Sequence, residues 1–142
     1  MDSESVEKDL LTVLTEDPKA SVGEIAKRAG VSRPTAQKYI KKLEDEGAIV
    51  GYSVELNPKK LEHQSIALVG VDVESEQYVK VINALRDIDS LVALYTATGD
   101  HMLMAKLQAN TSNDINEIIS GEILSIDGVT AACPTVLHER LD

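Results

Sequence analysis

At 142 residues the chain has room for one ordinary domain or two small ones, and a hydrophobic content of 43% excludes wholesale disorder. The sequence has no Phe and no Trp, so Ile, Leu, Val and Ala must fill any core. The net charge of −10 argues against a uniformly basic nucleic-acid binder, and only its distribution along the chain can reopen that reading.

That distribution is uneven. Residues 1–60 carry ten Lys/Arg against eleven Asp/Glu, whereas residues 61–142 carry four against thirteen. Between Ile25 and Leu43 lie six cations (Lys27, Arg28, Arg33, Lys38, Lys41, Lys42) and no acid. Because phosphate contacts act over a Debye length of about 8–10 Å, this local island outweighs the total. The acidic remainder suits either ordinary solubility or a cytoplasm of very high salt.

The single cysteine, Cys133, cannot form an internal disulfide, and its neighbours Ala131, Ala132 and Val136 predict a small buried residue. The opening MDSESVEKDL is acidic and has no apolar signal region. No apolar run approaches the roughly 18 residues of a membrane span. A cytoplasmic protein with no membrane partner is expected.

In chain order, Val6, Leu10, Val13 and Leu14 form the stripe of a first helix that Pro18 ends. Ser21-x-x-Glu24 is a capping-box pattern that opens a second helix running to Ala29. Gly30 then supplies a left-handed turn, and Ser32 caps a third helix from Arg33 to about Glu46. Helix, short Gly-containing turn, helix is the helix-turn-helix pattern. Gly47 stops the third helix, and a β-rich stretch, Ile49 to Leu56, follows and closes at Asn57-Pro58.

Beyond His63 the pattern alternates. Ser65–Val73 reads as a strand, and Ser75 as the cap of a helix carrying Val81, Ile82, Leu85 and Ile88. Leu91–Thr98 and Met102–Ala109 are strands flanking a Gly99-Asp100 turn. Thr111 or Ser112 caps a helix with Ile115, Ile118, Ile119 and Leu124, and Asp127-Gly128 leads into a last strand, Val129–Leu137. The order βαββαβ is the ferredoxin-like pattern. The fold class is therefore α+β, with a winged helix-turn-helix domain over residues 1–50, a linker strand over 51–64 and a ferredoxin-like domain over 65–142.

A helix fits the major groove, where its N-terminal residues reach base edges and its flanking cations reach phosphates. In the third helix Ala36, Ile40 and Leu43 form the inward stripe, leaving Thr35, Lys38, Lys41 and Lys42 on or near the opposite side. Ser32, Arg33, Thr35, Gln37 and Lys38 are the candidate base-reading and nearby contacts, with Arg33 suited to guanine and Gln37 to adenine. Lys41 and Lys42 are candidate phosphate contacts. The competing reading, a merely solvated basic face, loses ground because a capped helix and a Gly turn precede it. The C-terminal half shows no catalytic constellation, no Gly-rich phosphate loop and no His pair at metal-ligand spacing. No catalytic residue, metal or cofactor is assigned. Its Thr98-Gly99-Asp100 segment reads either as a plain hairpin turn or as a ligand-binding loop.

The run VSRPTAQKYIKKLEDEGAIVGYSVELNPKKL, residues 31 to 61, resembles the Lrp/AsnC (feast/famine) family of transcriptional regulators. The likeness is carried by Val31-Ser32-Arg33, Ile40, Leu43-Glu44, Gly47, Ile49 and Gly51-Tyr52, and it extends to the βαββαβ domain. The resemblance implies a homodimer built through the linker strand and the sheet, with dimers assembling into tetramers or octamers. It also implies an amino-acid effector near Thr98, Gly99, Asp100 and His101, with Thr135 on the last strand as a further contact. One position departs: the family turn usually runs Gly-Asp-Tyr-Asp, and here it runs Gly99-Asp100-His101-Met102, which implies either a shifted effector preference, the favoured reading, or a silent site.

The leading expectation is a sequence-specific, double-stranded-DNA-binding regulator responding to a small molecule, an amino acid by resemblance. The alternatives are a low-specificity DNA-organising protein and a stand-alone effector-sensing module. An enzyme is not expected. Some haem-pathway decarboxylases resemble this family's fold, but they depend on a His-bearing active site, and the basic helix here has no His.

Overall fold

The structure is a computed structural model that describes residues 2–142. The chain divides into two compact units between Val54 and Glu55.

In the first unit each helix begins where a side chain can satisfy its orphan amides. Helix α1 (Ser3–Glu16) starts at Asp2, whose carboxylate accepts from the Glu4 N–H at 2.9 Å. Helix α2 (Val22–Ala29) starts at Ser21, whose hydroxyl accepts from Glu24 N–H at 3.2 Å. Gly30, at φ 73°, takes the left-handed conformation, and the Val31 N–H reaches back to the Ala26 carbonyl at 2.9 Å. That closure satisfies the exposed carbonyls and turns the chain into helix α3 (Arg33–Asp45), with Pro34 in its first turn. Val6, Leu10, Val13, Leu14, Ile25, Ala26, Ala29 and Ala36 form one core. Leu43 on α3 is also buried, whereas Ile40 is only partly so.

The second unit is built on strand β1 (Ser65–Val73). It pairs antiparallel with β3 (Leu103–Ala109) on one side and β4 (Val129–Leu137) on the other, and β2 (Leu91–Thr96) lies outside β3. The order β2-β3-β1-β4 is that of a ferredoxin-like sheet. Ala67, Val69, Val71 and Val73 alternate along β1 and join Leu103, Ala105 and Leu107 of β3 in the core. Helices α4 (Tyr78–Arg86) and α5 (Ser112–Ile118) supply Val81, Leu85, Ile115 and Ile118 to the same core. The helices cover one sheet face. Leu68, Gly70 and Asp72 of β1, Met104 of β3, and Cys133 and Thr135 of β4 belong by register to the other.

Five expectations need correction. The stretch Ile49–Leu56 joins no ladder among the described residues, and Val50, Tyr52 and Val54 are 96%, 54% and 79% exposed. Its period-two pattern is real, but a strand exists only with a hydrogen-bonding partner, and the described residues offer none. Ser75 makes no side-chain cap; it opens a 3-10 turn, Ser75–Gln77, and α4 begins at Tyr78. The strands around the Gly99 turn are shorter than predicted, because Ala97 N–H bonds to the Met102 carbonyl at 2.9 Å and closes a six-residue turn outside the ladder. Leu124 is 47% exposed and Ile123 is buried instead. A π-helical turn, Ile119–Ile123, ends α5 through Leu124 N–H to the Ile119 carbonyl, and this wider turn carries Ile123 inward. Finally, Cys133 is exposed, because its position in the ladder opposite Gly70 puts it on the face without helices.

Leu107 is fully buried between its partners Ala67 and Leu91, so Leu107→Ala should cost about 2–5 kcal/mol, from lost transfer energy and the cavity left behind. Urea unfolding followed by circular dichroism should show the lowered midpoint.

Candidate DNA-contacting helix and effector turn

Helix α3 presents its chemistry in a graded way. The Ser32 hydroxyl accepts from Thr35 N–H at 3.3 Å and donates to Thr35 Oγ1 at 2.8 Å. Both groups therefore hold the helix start, and the Thr35 hydroxyl keeps its own hydrogen for a ligand acceptor. The first turn of α3 carries no acid, whereas α1 has Glu4 and α2 has Glu24 there. The positive end of the α3 dipole is thus left uncompensated, a favourable place for an anion. Arg33, Gln37 and Lys38 are exposed, and among the described residues none forms a side-chain hydrogen bond or ion pair.

The two remaining lysines are engaged. Lys41 Nζ lies 2.9 Å from Asp45 Oδ2 one turn along, and Lys42 Nζ lies 2.8 Å from Glu7 Oε1 on α1. The hydrogen bond and charge of each carboxylate raise the lysine pKa above its ordinary value. Sequence periodicity placed both lysines on the outer side; the i,i+4 spacing of Lys41 and Asp45 was there to be read, whereas Glu7 is too distant in the chain to be seen as the Lys42 partner.

The turn between β2 and β3 is fastened to β1. Thr98, Gly99 and Asp100 are exposed, with Gly99 at φ 127°, a conformation that favours glycine. His101 folds back over the open sheet face. Its Nδ1 lies 2.9 Å from Asp72 Oδ2, while Asp72 Oδ1 accepts from Met102 N–H at 3.2 Å. These two bonds hold Asp72 below the usual carboxylate range, the His101 bond more than the Met102 bond. An ionised carboxylate can only accept, so Nδ1 carries the proton of that bond and Nε2 is left for another partner. The imidazole lies against Gly70, where a methyl group would overlap the ring. Thr135 is exposed on the same face, paired with Leu68, two residues along β4 from Cys133 beside Gly70. That step is roughly 7 Å, so Thr135 does not join the turn directly.

Sequence reading missed Gly70 and Asp72. The available signal was a glycine and a carboxylate inside an otherwise aliphatic strand, since an interior strand glycine often marks a close approach. A shallow cleft of about 350 Å³ lined by Ser75, Tyr78, Ala97 and Met102 adjoins the turn. No group of three His, Cys, Asp or Glu side chains is gathered at metal-binding distance among the described residues.

Two outcomes are expected here. Gly70→Ala should displace the imidazole and cost about 1–3 kcal/mol by overpacking, with amide shifts in an NMR correlation spectrum concentrated at residues 97–102. The second concerns acid. The depressed Asp72 pKa contributes stability that is present above the unfolded carboxylate value and is lost as pH falls through the folded one. Thermal unfolding from pH 7 down to pH 3 should therefore show a loss below about pH 4 in the wild type, with a smaller loss in Asp72→Asn.

The chain matches the winged helix-turn-helix DNA-binding family over residues 4–50 and the Lrp/AsnC ligand-binding domain over residues 66–137. It is 54% identical over 99% of both chains to the HTH-type transcriptional regulator LrpA1 of Halobacterium salinarum. It is 38% identical to the HTH-type transcriptional regulator LrpA of Pyrococcus horikoshii, over 95% of this chain and 96% of that one. A crystal structure of a transcriptional regulator from Neisseria meningitidis in complex with L-Met shares the fold, with a TM-score of 0.71 at 19% identity over 100% of this chain and 92% of that one. The relatives are named as regulators, in line with the expectation of no enzyme. With a winged helix-turn-helix match at one end and a ligand-binding-domain match at the other, the chain belongs to the Lrp/AsnC family of transcriptional regulators.

Proposed function

We propose that this regulator binds specific double-stranded DNA through α3, acts as a homodimer or a multiple of it, and responds to an amino acid held at the β2–β3 turn. The single observation that carries the DNA reading is the acid-free, Ser32-capped start of α3, with Arg33, Gln37 and Lys38 exposed beside it. Arg33 has the fork geometry for guanine, Gln37 the amide for adenine, and Lys38 a point charge for phosphate. Two copies of α3 would read half-sites about one helical turn apart.

Self-association has its own support. Among the described residues, 50–56 make no backbone–backbone hydrogen bond beside the exposed Val50, Tyr52 and Val54, and the sheet face bearing Leu68 and Met104 lacks a helix layer. A second copy would pair the one and cover the other. For the effector, the exposed Asp100 carboxylate and the amides around Gly99 suit the amino and carboxylate groups of an amino acid. The solved Neisseria meningitidis complex with L-Met supports that chemical class.

Fluorescence anisotropy on a labelled duplex from upstream of the protein's own gene, with excess unrelated DNA, tests the first part. Specific binding should survive the competitor, and Lys38→Ala should lower the slope of log affinity against log salt by about 0.9 for each bound domain, about 1.8 for a dimer. Binding abolished by competitor would favour a low-specificity DNA-organising protein. An unchanged slope would remove Lys38 from the contact set. Sedimentation velocity should give a dimer or larger, and Leu68→Glu should move it toward monomer with its circular dichroism retained. Calorimetry at millimolar concentrations should find an amino acid whose binding Asp100→Ala weakens; no heat from any of them would overturn the effector assignment.

A further inference from the structure

Half of the cations in the basic island already hold a carboxylate of the same domain. Arg28 pairs with Glu16 at 2.7 Å, Lys41 with Asp45 at 2.9 Å and Lys42 with Glu7 at 2.8 Å. Lys27, Arg33 and Lys38 have no such partner among the described residues. The pairs differ in kind. Lys41 and Asp45 are 75% and 65% exposed and sit one turn apart on α3, whereas Glu7 is only 21% exposed and reaches Lys42 from α1.

We propose that Glu7 and Asp45 are affinity-limiting residues: their carboxylates compete with DNA phosphate for Lys42 and Lys41, so that one domain binds weakly. This deepens the DNA reading and rests on it. A lysine that stays on its carboxylate neutralises no phosphate and adds nothing to counterion release. A lysine that moves to phosphate must first lose its intramolecular partner, which subtracts from the contact it makes. The local balance is then set by the acids around α3 as much as by its cations. A dimer with two such domains multiplies weak contacts, so the limit on each domain sharpens the need for both half-sites. The raised pKa of both lysines agrees with an engaged ammonium but adds no separate weight.

The test is anisotropy of the full chain with the labelled upstream duplex and with an unrelated duplex, over a tenfold range of KCl. Glu7→Gln should tighten binding to both. Each freed lysine should steepen the log–log salt slope by about 0.9, so the advantage over wild type shrinks about eightfold per bound domain across that range and about sixtyfold for a dimer bound through both. Asp9→Asn, which removes an exposed α1 carboxylate with no ion-pair partner among the described residues, controls for diffuse charge and should change the slope little. In a Lys42→Ala background Glu7→Gln should have no effect. Should Glu7→Gln loosen α1 against α3 in thermal unfolding, Asp45→Asn carries the same test, because that exposed pair lies within one helix. Equal gains from Glu7→Gln and Asp9→Asn, or a gain that persists without Lys42, would overturn the proposal. A wild type that binds neither duplex at any salt would overturn the DNA reading itself. Binding by the wild type with no gain in either variant would overturn the competition alone.

Discussion

Strand β1 is hydrogen-bonded along both edges, and its two faces do different jobs. Because side chains alternate strictly along a strand, Ala67, Val69, Val71 and Val73 fall together against α4 and α5, and Leu68, Gly70 and Asp72 fall together on the face that carries no helix. A one-residue slip would exchange the sets and expose the core, so burial of the first set fixes the position of the second. The seat for the His101 ring and the carboxylate that receives it are in this sense by-products of core packing. The turn is tied down by residues whose register the core decides, which couples its geometry to the most buried strand of the sheet.

The first unit solves a different problem with shorter-range means. Three helices bury a modest core whose fully buried members are all aliphatic, and their ends are satisfied locally by Asp2, Ser21 and Ser32. Gly30 sets the entry of α3, and Ser32 and Thr35 together fix its first turn. That leaves the exposed Arg33, Gln37 and Lys38 on a rigid element, which is what the proposed base reading requires. The charge on the same helix is not simply the sum of its lysines. Carboxylates from α1 and from its own last turn hold two of them, so the electrostatics of the proposed contact face are distributed over two helices.

Much of this was legible from local rules. Stripe spacing located α1, capping residues located the starts of α2 and α3, and alternation with turn residues recovered all four strands and their order along the chain. The failures have a common cause. Ile49–Leu56 has a strand pattern, but a pattern names a preference and a ladder needs a partner. Ile123 replaced Leu124 because one π turn changed the helical period, which spacing at 3.6 residues per turn cannot anticipate. Cys133 looked buried from its small neighbours along the chain, whereas exposure depends on what lies across the strand.

By itself the sequence determined the helix-turn-helix, the βαββαβ order, the basic island and the resemblance that named its family, because each follows from residue type at short spacing. Only the tertiary structure decided that Glu7 holds Lys42, that Asp72 holds His101 and that Gly70 makes room for the ring. Those pairings join residues 29 to 35 positions apart, and their existence depends on helix packing and strand register. Such long-range geometry is set by how the whole core closes, which no local spacing encodes.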